Sequence, residues 1–158
     1  MNATALKVMR GRSSLGTDEL IDWIVEKNSD TAIVQAFDYH KVINKLHLQA
    51  AYTNTIEAFS EGTNISDKPY MEFLLFAAMT RQISVATSIF RIKDIGNFVI
   101  ASDSAAVLAE AKRFINLSEY KTNIEDELKT AKSIGIESDY KSLNQRLLQK
   151  MAISRLQD

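Results

Sequence analysis

Leu6 and Val8 alternate with Lys7 across residues 5–11, the period-two pattern of a half-buried strand, and Gly11 ends it. The period then changes. In TDELIDWIVEKN, Leu20, Ile21, Ile24 and Val25 share one helical face, and Thr17 with Asp18 opens the helix. TAIVQAF, 31–37, is a short apolar run that reads as a strand, whereas 40–44 show neither period. From 47 to 59, Leu48, Ala51, Tyr52 and Phe59 recur at helical steps, broken at Thr55, and Gly62 supplies the stop.

YMEFLLFAAM, 70–79, is apolar nearly all round, so as a helix it must be covered on most sides; the pattern makes it the central core helix. NFVIAS, 97–102, predicts another strand. Val107, Leu108, Ala111, Phe114 and Ile115 then mark an amphipathic helix capped near 102–104. Ile124, Leu128 and Ala131 predict a further helix, Gly135 a break, and Tyr140, Leu143, Leu147 and Met151 a last one. The expected class is α+β: one compact domain over 1–158, with a small, mostly antiparallel sheet packed with about six to eight helices.

Composition narrows the function classes. With 46% hydrophobic and 25% charged residues and one proline among 158 positions, the chain is suited to a globular core and not to disorder. The formal charge of -1 gives no global attraction for nucleic acid, so any RNA contact needs a local patch. Absence of cysteine excludes disulfides, thiolate metal sites and cysteine nucleophiles. The N-terminal residues lack a signal-like apolar run, and no segment reaches the roughly 18 apolar residues of a membrane span. The expectation is a cytoplasmic protein without membrane attachment.

Enzymatic motifs are weak. RGRSSLGT, 10–17, has the outer glycine spacing of a phosphate loop, but Thr17 and Asp18 stand where Lys and Ser/Thr are needed, and Asp18 repels phosphate. His40 and His47, with Asp38 nearby, fall short of a zinc ligand set and read as structural histidines. No GxSxG turn accompanies any serine. The carboxylates Asp18, Glu19, Asp22, Glu125 and Asp126 suit solvated helix starts. No catalytic residue, metal, cofactor or small-molecule substrate is expected.

Two loops remain. GTNIS, 62–66, and RQIS, 81–84, each place an amide and an isoleucine before a serine positioned to cap the next helix. Unpaired N–H groups at a helix start attract phosphate, Arg81 adds a charged fork able to stack on a base, Asn64 and Gln82 can read base edges, and Ile83 offers an apolar platform. Lys68 and Lys93 would enlarge the patch. The alternative is that Ile65 and Ile83 anchor the loops to the core while Arg81 forms a surface ion pair.

The stretch HLQAAYTNTIEAFSEGTNISDKPYMEFLLFAAMTRQISVATSIFRIKD, 47–94, resembles the small subunit of the KEOPS complex, the PRPK-binding-protein family, through its GxNIS, EFLLFAA and TRQIS elements and the IKD that ends at Asp94. The flanking QAFDYHKVIN and the terminal GIESDYKSLNQRLLQKMAISRLQD are compatible with it. The resemblance implies a non-catalytic accessory subunit that recruits tRNA by its single-stranded 3′ CCA end. It also implies docking on and stimulation of a kinase-like ATPase subunit, within a complex that installs threonylcarbamoyladenosine through another subunit. On this chain it assigns RNA contact to Asn64, Arg81, Gln82 and Ile83, with Lys68 and Lys93 beside them. For partner docking it points to Leu148, Ile153 and Leu156, which could equally be core. A regulator that binds the ATPase without touching RNA is the alternative.

Overall fold

The computed structural model describes residues 5–156. Among these, four strands, β1 (Lys7–Ser13), β2 (Val34–Asp38), β3 (Phe98–Ser102) and β4 (Ile115–Glu119), form one fully antiparallel sheet in the order β2-β3-β1-β4. Seven α-helices accompany it: α1 (Thr17–Lys27), α2 (Lys45–Glu61), α3 (Pro69–Ala78), α4 (Ile83–Phe90), α5 (Ala105–Ala111), α6 (Ile124–Ser133) and α7 (Leu143–Ile153). The architecture is α+β, as the hydrophobic pattern predicts.

The sheet is covered on both faces. Val8, Phe37, Val99 and Ala101 turn toward α2, α3, α4 and the buried residues of α6 and α7, while Val34, Ala36, Phe98, Ile100 and Ile115 turn toward α1 and α5. That double cover explains why NFVIAS reads as an unbroken apolar run: β3 is central and every residue in it is buried.

Three expectations give way. Gly11 does not end β1, which continues to Ser13 because a missing side chain is required inside the sheet: a Cβ there would lie 2.7 Å from Phe98 Cε2 and 3.2 Å from Ile115 Cγ2. Ile115 is not the end of a helix; α5 stops at Ala111, and Ile115 opens the edge strand β4, which the helical spacing of Phe114 and Ile115 masks. Tyr140 lies in a turn, 64% exposed, outside α7. The unassigned 40–44 segment begins within a 3-10 turn, Tyr39–Lys41, capped by Asp38.

The expected stops and starts elsewhere are physical ones. Gly62 closes α2 in the left-handed region, at φ 72°, with its N–H on Ala58 O. Ser104 caps α5 by accepting from the Val107 N–H. No single helix among the described residues is long and apolar enough to cross a membrane; α3 and α4 are apolar together but bent by 74°.

Candidate functional site

The candidate residues are arranged by α3. Pro69 occupies its first turn, and Phe73, Leu74, Leu75, Phe76 and Ala77 are buried, as the core-helix reading requires. At its C-terminus Met79 adopts φ 54°, a left-handed conformation uncommon for a side-chain-bearing residue, with its N–H on Leu75 O and Phe76 O. The chain reverses there and re-enters a helix at Ile83. Thr80 Oγ1 accepts from the Gln82 N–H at 3.2 Å and shapes the turn.

Arg81, Gln82 and Ile83 are consecutive and exposed, Ile83 to 45%. Gln82 is the N-cap of α4 and no side chain caps that helix, so Ser84 lies inside the first turn and does not cap. Ser66 does not cap α3 either: Lys68 holds that position, and Ser66 Oγ accepts from the Lys68 N–H at 3.2 Å within the loop. The two serines thus share a sequence context and no common role.

The two loops sit at opposite ends of α3. Its ten residues separate Lys68, at the N-cap, from the Arg81 turn by about 15 Å of helix rise, while the 64–66 segment folds back against Glu72. Lys93 follows α4, whose eight residues carry it about 12 Å from the Arg81 turn. Asn64 is half-buried and donates to Ser66 O at 3.0 Å; Lys68 is exposed; Lys93 pairs with Asp38 at 3.5 Å. The six residues therefore form a central trio, Arg81, Gln82 and Ile83, and three outlying residues, Asn64, Lys68 and Lys93.

A buried ion pair connects the loops. Glu72, fully buried, accepts from the N–H groups of Ile65 and Ser66 at 3.1 and 2.9 Å, and its other oxygen meets Arg155 Nη1 at 2.9 Å. The Arg155 guanidinium stacks on Phe76 at 3.7 Å, and its main-chain O accepts from Arg81 Nη1 at 3.3 Å. Arg155 Nε and Nη2 are buried, have no hydrogen-bond partner among the described residues, and lie against that ring. One residue just past α7 thus touches the core helix, holds the 62–68 loop through Glu72, and meets the Arg81 turn. Sequence reasoning missed it, although Glu72 is the one charge within YMEFLLFAAM and a carboxylate there demands a buried partner.

Leu148, Ile153 and Leu156 are exposed to 43%, 49% and 80%, so they are not core; Leu143, Leu147 and Met151 form the buried face of α7. Ile153 and Leu156 flank Arg155 in sequence, which sets apolar surface beside the Arg81 turn.

The histidines have structural surroundings. His47 is fully buried; Nδ1 accepts from the Ile43 N–H at 3.0 Å, so the proton sits on Nε2 and is donated to Ala77 O at 2.8 Å. Burial holds its pKa down to about 4, against a smaller opposing effect of the Ala77 bond. Asp38 serves the 3-10 turn and Lys93. Among the described residues no three His, Cys, Asp or Glu side chains converge as a metal site. Arg10 and Arg12 of RGRSS lie within β1, not in a loop, and Arg10 stacks on Tyr39 at 5.0 Å.

No protein-family model and no curated protein matches this chain.

Proposed function

We propose that the chain is a non-catalytic, KEOPS-type small subunit. It recruits tRNA by the single-stranded 3′ CCA end and docks on and stimulates a kinase-like ATPase subunit, supporting threonylcarbamoyladenosine formation elsewhere in the complex. The observation that carries the RNA half is the exposed run of Arg81, Gln82 and Ile83 at the side-chain-uncapped start of α4. It combines a fork for phosphate or base stacking, an amide for a base edge, an apolar platform and helix-terminal N–H groups. Lys68, about 15 Å away along α3, and Asn64 in the same loop supply a second contact to the same strand, and Lys93 a peripheral charge.

Binding of intact tRNA and of tRNA trimmed of its 3′ CCA tests this. Trimming should weaken binding, and Arg81→Glu should lower affinity about tenfold or more and flatten the salt dependence by about one ion. Equal affinity for both tRNAs rejects the reading.

A protein-only regulator is the second reading, favoured by the exposed Leu148, Ile153 and Leu156 on and just beyond α7. The two separate cleanly, since only the first predicts any effect of trimming.

A further inference from the structure

The two edges of the sheet are finished differently. At β2, the Asn28 side chain takes the outward main chain of Val34, donating to its O at 3.0 Å and accepting from its N–H at 2.9 Å. The Ala36 N–H is likewise taken by Gln35 Oε1 at 3.0 Å. Amides placed this way deny the edge to another strand.

β4 carries no such plug among the described residues. The Ser14 N–H donates to Phe114 O at 2.9 Å, so antiparallel alternation turns 114, 116 and 118 toward β1 and directs the N–H and C=O groups of Ile115, Leu117 and Glu119 outward. Where the start of β4 meets the end of β1 lies a groove of about 590 Å³, lined by Arg12, Lys112 and Arg113 and by the apolar Phe114, Ile115 and Leu117, with no carboxylate among its described lining residues.

We propose that β4 is a docking edge for an extended acidic peptide segment of a partner protein. The segment adds as a fifth strand, exchanging main-chain hydrogen bonds with Leu117 and setting its carboxylates against Arg12, Lys112 and Arg113. Nucleic acid fits less well, because a phosphate backbone only accepts and leaves the outward C=O groups of Ile115 and Leu117 unpaired. A second copy fits less well too, since pairing β4 with itself brings the cations of both copies into one groove. The inference is independent of the RNA reading.

The test uses the whole chain and a fluorescent synthetic peptide alternating glutamate with valine, alongside its lysine counterpart and a uridine oligonucleotide. The acidic peptide should bind and its lysine counterpart should not, and the oligonucleotide should leave the peptide in place. The Leu117 amide should exchange more slowly when the peptide binds, and Lys112→Glu with Arg113→Glu should weaken it about tenfold or more. Leu117→Pro removes the outward N–H without breaking the ladder to β1 and should abolish binding; Leu117→Ala, which keeps the N–H, controls for lost side-chain packing. Folding of each variant is checked by thermal melting. The proposal is overturned if the acidic peptide fails to bind the unaltered protein, if Leu117→Pro binds it as well as Leu117→Ala, if the oligonucleotide occupies the groove in preference, or if sedimentation shows the edge already filled by a second copy.

Discussion

His47 shows how a residue that titrates in water becomes a fixed strut. Its two ring nitrogens join the Ile43 N–H ahead of α2 to the carbonyl of Ala77 at the end of α3, and burial keeps the ring neutral. With the folded pKa near 4 and the ordinary value 6.5, the unfolded chain binds the extra proton between those limits. Stability contributed by the neutral ring is therefore complete above pH 6.5 and declines as pH falls toward 4, by up to ~3 kcal/mol. Urea midpoints measured from pH 7 to pH 4 should show that decline, and His47→Gln should remove its histidine component. Gly11 is a second such position. Because a Cβ there meets the buried Phe98 ring at 2.7 Å, Gly11→Ala should destabilise by about 1–3 kcal/mol in chemical denaturation; an unchanged midpoint would mean that the ring yields freely.

Between elements, the informative connection is from the end of α7 to α3. Arg155 neutralises the buried Glu72, which in turn holds the N–H groups of Ile65 and Ser66. Removing one member of such a pair strands the other charge in the interior, at a cost of about 3–5 kcal/mol. Arg155→Ala should therefore lower stability on that scale, and hydrogen exchange should speed up at Ile65 and Ser66 more than in β3. Uniform acceleration across the molecule would show that the pair stabilises the fold without specifically holding the loop. The Arg81 guanidinium rests on the Arg155 main-chain carbonyl, which the alanine variant keeps, so this contact is not itself deleted by the substitution.

At the scale of the molecule, the candidate RNA turn and the exposed apolar end of α7 are neighbours. Ile153 and Leu156 flank Arg155, and Arg155 touches Arg81. Docking through α7 would thus adjoin the RNA turn. Leu156 is 80% exposed, so Leu156→Glu should leave the circular dichroism spectrum and melting temperature unchanged. On the proposed reading, co-purification with a kinase-like ATPase subunit should drop sharply. Retention of the partner would move the docking face elsewhere.

Local periodicity determined the α+β class, the core helix at 70–79, the Gly62 stop, a helix cap within 102–104 and a strand at 97–102, because each follows from which side chains must avoid water within a few residues. That Ser104 is the cap and that the strand is central came from the fold. It did not reveal β4, since a five-residue strand directly after a helix continues the apolar spacing of that helix for two positions. Nor did it show that the likeness between NIS and QIS is only local: neither serine caps, and α3 holds the two loops apart. Whether Leu148, Ile153 and Leu156 are core or surface, and that Glu72 finds its cation 83 positions later in Arg155, are matters of packing between distant segments. A carboxylate inside an apolar helix announces in the sequence that a partner must exist, but only the tertiary fold selects which arginine it is.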